Sequence, residues 1–209
     1  MKLLVFGATG ATGRELLKQA LDQGHVATAF ARNPSKIADL RHERLSVVQG
    51  DALDQVAVKS ALPGQDAVLC AIGAGAKRST LREEGTRSIV KAMEKEGIDR
   101  LICLSSLGVG DSRSNLSFLT RYFIVPVFLR HPFADHERQE SVVKQSGLDW
   151  TIVRPPHLND GPRTGDYRHG FLPTDRQIKG KISRADVADF MLKQLGDDTY
   201  LHKTAGVSY

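Results

Sequence analysis

Short apolar runs alternate with helix-length amphipathic stretches from the first residue onward. Residues 2–6 form a compact apolar run that predicts a strand. Residues 13–23 set Leu16, Leu17, Ala20 and Leu21 on one helical face. Further strands are expected at 26–31, 45–49, 67–72, 101–105 and 150–154. Helices are expected at 35–40, 56–61, 81–96, within 133–146, and at 187–195. In the last of these, Ala188, Met191, Leu192 and Leu195 share a face, and Ser183 followed by Asp186 fits a capping box. Repeated strand-then-helix order predicts a parallel sheet covered on both faces. No internal repeat, low-complexity tract or long polar linker divides the chain. The expected fold class is therefore α/β, a doubly wound parallel sheet in a single domain over residues 1–209.

Two stretches break the rhythm. Residues 107–133 begin as a glycine- and serine-rich loop and continue as the apolar run 118–129, interrupted by Arg121 and Pro126. A segment covering the carboxyl ends of the strands is expected there, with an oligomer contact as the alternative. Residues 155–182 are rich in proline, glycine and arginine and poorly periodic. Excursions of this kind in open α/β sheets sit where ligands bind, so both are read as substrate-side segments.

Composition narrows the class. Of 209 residues 41% are apolar and 25% charged, which excludes a disordered or collagen-like chain. A chain of this length buries roughly 70% of its unfolded surface, enough for a core without metal or disulfide staples. No apolar run approaches the ~18 residues of a membrane span. The apolar run at the start ends at Gly7, too soon for a signal peptide, so a cytoplasmic address is expected. Cys70 and Cys103 each fall in an apolar strand and read as free core thiols of a reducing compartment. The net charge of +5 comes with no basic helix or Lys/Arg block interleaved with aromatics, so no nucleic-acid partner is expected. Within 151–184, Arg154, Arg163, Arg168, Arg176, Lys179, Lys181 and Arg184 face only Asp160, Asp166 and Asp175. Solvated surface is the plain reading, and an anionic ligand nearby is the sharper one.

The first loop carries the most chemistry. Gly7-Ala8-Thr9-Gly10-Ala11-Thr12-Gly13 lies between the first strand and the first helix with the spacing G-x-x-G-x-x-G, a variant of the dinucleotide fingerprint. Gly7 permits the tight turn, Gly10 lets backbone approach a pyrophosphate, and Gly13 lets helix pack on sheet. The helix N-terminus then offers unpaired N–H groups to phosphate. This predicts an NAD(P)-binding Rossmann domain. The second strand carries the cofactor choice. NAD-preferring sites place an acid near its end, but here Arg32, Ser35 and Lys36 come first and the first acid is Asp39. Arg32 and Lys36 suit the 2′-phosphate of NADP(H) through charge-assisted hydrogen bonds.

With these residues placed, the chain resembles the atypical short-chain dehydrogenases/reductases, and within them the NADPH-dependent flavin and biliverdin-IXβ reductases. The resemblance covers nearly the whole chain. It rests on Gly7–Gly13, Arg32 with Lys36, Gly50-Asp51-Ala52, Gly64-Gln65-Asp66-Ala67-Val68, Glu84-Gly85, Ser105-Ser106, Ser146-Gly147-Leu148, Arg154-Pro155-Pro156-His157 and Ile182-Ser183. The glycine loop and the strand-end pairs are shared by the whole superfamily, whereas Pro155-Pro156-His157 followed by Asp160-Gly161 and Gly165 points more narrowly to the flavin/biliverdin branch.

The resemblance implies that Thr9, Gly10, Ala11 and Thr12 line the pyrophosphate, and that Asp51 and Ala52 lie next to the adenine. It sets Ile72 and Gly73 beside the ribose and nicotinamide. Ser105, Ser106, Pro155, Pro156 and His157 match the nicotinamide and substrate edge, with Ser106 and His157 as the catalytic candidates. Sister enzymes protonate substrate with the tyrosine of a Tyr-x-x-x-Lys pair. Tyr122 is followed four residues later by Pro126, and no other tyrosine has lysine at that distance. A hydride acceptor needing little acid catalysis, such as a flavin or a linear tetrapyrrole, suits these residues better than a ketone. The alternative is a regulator similar to the NmrA-like proteins, binding NADP as a redox sensor without turnover. A sugar-nucleotide epimerase lacks support, because a larger substrate domain and the Tyr/Lys pair are missing. His131 and His136 are five apart, and no Cys/His/acid cluster has metal-ligand spacing. No Gly-x-Ser-x-Gly elbow is present. No metal, covalent nucleophile or membrane partner is expected, and a monomer is expected over an obligate oligomer.

Overall fold

The computed structural model describes residues 1–75, 78–171, 175 and 178–209. In chain order the elements are β1 (Lys2–Phe6), α1 (Ala11–Asp22), β2 (Val26–Ala31), β3 (Leu45–Gln49), α2 (Gln55–Ala61), β4 (Ala67–Cys70), α3 (Leu81–Glu96), β5 (Arg100–Leu104) and α4 (Arg130–Lys144). They continue with β6 (Asp149–Arg154), β7 (His157–Asn159), β8 (Arg168–His169), β9 (Lys181–Ser183), α5 (Arg184–Lys193) and β10 (Lys203–Ser208). The main sheet has the order β3-β2-β1-β4-β5-β6-β10-β8, and β7 and β9 form a separate parallel pair. All neighbours in the main sheet run parallel except β8 against β10. This is the doubly wound Rossmann fold.

The strands read as unbroken apolar runs because both faces of the sheet are covered. Leu3 and Val5 of β1 pack on one face with Leu16, Leu17 and Ala20 of α1 and Met191 of α5. Leu4 and Phe6 point to the other face, toward Val58 of α2, Ile89 and Met93 of α3, and Val143 of α4. Cys70 and Cys103 are free and buried, and stand opposite each other in the β4–β5 register. Side chains anchor the helix starts where the sequence provides them. Asp54 accepts from the Val56 and Ala57 amides ahead of α2, and Ser183 accepts from the Asp186 amide ahead of α5. The capping box at α5 is only half formed. The Ser183 amide donates to Tyr209, while Asp186 accepts from the Thr164 and Gly165 amides and ties that loop down.

Several boundaries differ from the sequence expectation. The first helix starts at Ala11 because Gly10 serves as its N-cap. The strand expected over 67–72 ends at Cys70, and the helix expected over 35–40 is a single 3₁₀ turn, Pro34–Ile37. β10 was not anticipated. Its Lys-Thr-Ala-Gly-Val-Ser sequence has too few apolar residues to read as a strand, and parallel pairing with β6 makes it one. The apolar run 118–129 is a further difference. Thr120–Leu129 is a π-wound helix leading directly into α4, with Pro126 inside it, and proline removes a backbone donor from such a helix. Apart from Val125, which is buried, most of the large apolar side chains of the run are not covered. Phe118 is 72% exposed, and Leu119, Tyr122, Phe123, Val127 and Phe128 are also turned to solvent. No helix among the described residues is long and apolar enough to cross a membrane.

Candidate functional site

Strand order reverses at β1 and β4, which opens a crevice beyond their carboxyl ends. A cleft of about 480 Å³ occupies it, lined by the glycine loop, by the ends of β1, β2, β4 and β5, and by side chains of α3 and α4. Gly7 leaves β1 with φ 76°. A Cβ there would stand 2.2 Å from the Ala71 carbonyl oxygen, so only glycine makes this turn so close to the next strand. A Cβ on Gly13 would meet the Gly7 carbonyl oxygen at 2.2 Å, so this glycine lets α1 press against the loop instead of lining the cleft. Gly10, the N-cap, has no side-chain cap, and the first turn of α1 carries no acid. The first amides of α1 are thus unclaimed by side chains, at the positive end of the helix dipole. A dinucleotide pyrophosphate fits this cradle.

Of the residues singled out from sequence, Gly7, Thr9, Gly10, Ala11, Thr12, Arg32, Lys36, Asp51, Ala52, Ile72, Gly73 and Ser105 all line this cleft. Arg32 and Lys36 stand exposed at its rim, and among the described residues neither side chain is in an ion pair. Asp39, the first acid after β2, is held by the two terminal guanidinium nitrogens of Arg14. It is therefore already committed, and it does not line the cleft. Ser106, Pro155, Pro156 and His157 lie just outside the lining. Ser106 is half-buried, and its hydroxyl donates to the Leu107 carbonyl at 3.3 Å. The Pro155 carbonyl accepts from the Leu107 amide at 2.8 Å. His157 is exposed on β7, its amide donating to Gly180 at 3.2 Å, while its neighbour Leu158 lines the cleft.

The basic stretch is largely neutralised internally. Arg163 pairs with buried Asp189 at 2.5 Å, Arg168 with Asp175 at 2.7 Å, and Arg184 with Asp160 at 2.5 Å. Only Arg184 of these lines the cleft. Arg176 lies outside the described residues.

Three polar groups at the cleft escaped the sequence reading. Arg82 of α3 and His136 of α4 line it directly, and Glu140 of α4 stands behind Ser105. Arg82 is 8% exposed and donates to Asp135 at 3.3 Å, while the same carboxylate caps α3 at the Arg82 and Glu83 amides. Burial, with the Arg82 charge nearby, lowers the His136 pKa to about 4, so the ring is neutral at pH 7. Its tautomer follows from its neighbours. Gln139 donates its amide N–H to Thr86 at 3.1 Å, so Gln139 Oε1 accepts from His136 Nδ1 at 3.0 Å and Nε2 carries no proton. A sequence signal for this cluster exists in hindsight. Asp135, Gln139 and Glu140 share helical spacing with Val142 and Val143, which sets polar groups on a core-facing side.

A family model described as NAD(P)H-binding matches residues 7–198. An uncharacterized chloroplastic protein of Arabidopsis thaliana is 30% identical over 203 residues, spanning 93% of this chain and 71% of the relative. The solved anaerobillin reductase ChuY of Escherichia coli O157:H7 is 26% identical with a TM-score of 0.82, covering 100% of this chain and 97% of that one. A Veillonella parvula short-chain dehydrogenase/reductase in complex with NADP shares the fold, with TM-score 0.81 at 21% identity over 100% of this chain and 94% of that one.

Proposed function

The chain belongs to the NAD(P)H-binding family, and from that premise we propose an NADPH-dependent reductase acting on a flavin, a linear tetrapyrrole or a similar conjugated acceptor. The observation that carries this reading is that neither a tyrosine nor a protonated imidazole is offered by the described lining of the cleft. Among the described residues lining it there is no tyrosine, and its one imidazole is neutral with its N–H spent on Gln139. A carbonyl substrate needs a proton donor in the transition state. A conjugated ring spreads the added charge itself. The likeness to ChuY, whose solved structure is described as an anaerobillin reductase, supports the same acceptor class.

NADPH, when bound, supplies the hydride, and the protein's part is binding and orientation. The Thr9–Thr12 backbone and the open N-terminus of α1 hold the pyrophosphate. Arg32 and Lys36 take the 2′-phosphate, Asp51 and Ala52 flank the adenine, and Ile72 and Gly73 border the nicotinamide side. Ser106 and His157, at the outer edge, orient the acceptor without serving as obligatory acids.

NADPH oxidation with FMN, riboflavin and biliverdin isomers as separate acceptors tests the reading. Turnover with at least one of them, and NADPH favoured at least tenfold over NADH, is the expected result. Tight NADPH binding without turnover on any of them would instead favour a redox sensor.

A further inference from the structure

Ser105 lines the cleft at the carboxyl end of β5, its amide donating to the Val153 carbonyl at 2.8 Å. Its Oγ lies 2.7 Å from Glu140 Oε1, and Glu140 is 2% exposed. Among the described residues, the other polar contacts on that carboxylate come from cations. Arg154 donates Nε to Oε1 at 2.7 Å and Nη2 to Oε2 at 2.5 Å, and Lys144 reaches Oε2 at 2.9 Å. Arg154 is itself buried, with its Nη1 on Asp111 at 2.5 Å. Two cations on one buried carboxylate keep it ionised, and an ionised carboxylate only accepts. The proton between Ser105 and Glu140 must therefore be the hydroxyl's own. A serine has one O–H, so Ser105 has only lone pairs left to offer the cleft.

We propose that Ser105 is a fixed hydrogen-bond acceptor facing the cleft, held in that polarity by Glu140 as a positioning residue, and that it selects a ligand presenting an N–H. A hydroxyl in this state cannot polarise a substrate carbonyl. It pairs with an amide or ring N–H instead. The nicotinamide carboxamide and a ring N–H of the acceptor both have this chemistry. The assignment rests on the reductase reading, which sets both molecules in this cleft.

Two arms separate the sources. The first measures binding by calorimetry of NADPH and of its 3-acetylpyridine analogue, which carries a methyl ketone in place of the carboxamide. The second compares the KM of riboflavin with that of N3-methylriboflavin. The wild type is expected to favour the N–H ligand about tenfold in at least one arm, since an unmatched buried acceptor is costly. The responding arm identifies the donor. Ser105→Ala should reduce that preference to near unity, and Ser105→Thr, which keeps the hydroxyl, should retain it. Glu140→Gln, if it folds, should weaken the preference, because its amide can donate to Ser105 and free the hydroxyl proton. Ser105→Ala leaves the Glu140–Arg154 pair intact, so the test stands without the Glu140 variant. If riboflavin is not turned over, the second arm is read as equilibrium binding of the two flavins. A wild type that binds NADPH but shows no preference in either arm overturns the Ser105 assignment alone. A preference that survives Ser105→Ala in full does the same. A wild type that fails to bind NADPH overturns the reductase reading, and the assignment with it.

Discussion

If the proposed NADPH reading holds, replacing Arg32 with alanine should separate recognition of the 2′-phosphate from recognition of the rest of the dinucleotide. The side chain stands exposed at the cleft rim, and among the described residues no acid competes for it. Asp39, the acid best placed by sequence to bind a ribose hydroxyl, is engaged by Arg14. A charge-assisted hydrogen bond contributes about 1.5–3 kcal/mol, or roughly 10- to 150-fold in Kd. Exposure and screening at ordinary salt favour the lower end, about 10- to 30-fold. Arg32→Ala should therefore weaken NADPH by about that factor and leave NADH nearly unchanged. Lys36 should preserve a residual preference for NADPH in that variant. Arg32→Asp adds repulsion and should deepen the NADPH loss further. Calorimetric titration of both cofactors at low and high ionic strength measures this directly, and the gap should narrow as salt rises. Equal losses for NADPH and NADH would refute the reasoning, because the arginine would then be acting on something the two cofactors share.

Gly13→Ala forces a Cβ against the Gly7 carbonyl. It should cost about 1–3 kcal/mol in stability, read as a melting point lower by about 2–4 °C per kcal/mol, with cofactor affinity falling alongside. Glu140→Ala leaves the Arg154 charge buried and short of its main partner, a loss of about 3–5 kcal/mol. The double variant Glu140→Leu/Arg154→Met should recover most of it, and a single variant that melts with the wild type would contradict the assigned pairing. Burial alone would raise the Glu140 pKa, but Arg154, Ser105 and Lys144 outweigh it and hold the carboxyl below its ordinary value. The stability it contributes is complete above the unfolded value of about 4.3 and is lost as pH falls through the lower folded one. The melting gap between wild type and Glu140→Ala should accordingly close in that acidic window. His136 should titrate near pH 4, so its ring proton signals should hold steady from pH 8 to about 5.5, and a midpoint near 6.5 would show that the ring is not buried as described.

The order of elements and most residues lining the glycine-loop end of the cleft were readable from the chain alone, because both depend on near neighbours. A strand buried on both faces is a local apolar run, and an amphipathic helix repeats within a few residues. The glycine loop spans seven consecutive positions, and Arg32 directly follows β2. Where local pattern was weak, the reading stopped short. β10 has Gly206 and two hydroxyl residues among its six, and only its register against β6 makes it a strand. The apolar run 118–129 looked like a cover for the strand ends, yet hydrophobicity indicates only that a surface favours burial and not which surface it meets.

What the sequence by itself determined was the strand-and-helix alternation behind the doubly wound fold and the seven-residue glycine loop that opens α1, because each element is encoded among near neighbours. Tertiary structure alone decided which polar groups gather on the Ser105 side of the cleft. Ser105 and Glu140 are 35 positions apart, and Thr86, Gln139 and His136 meet only because α3 and α4 pack together on one face of the sheet. The same packing sets Arg154, at the end of β6, against Glu140. Proton positions in such a cluster depend on which donors and acceptors share a dry space, and linear order carries no record of that. The direction of the Ser105 hydroxyl is therefore a property of the fold.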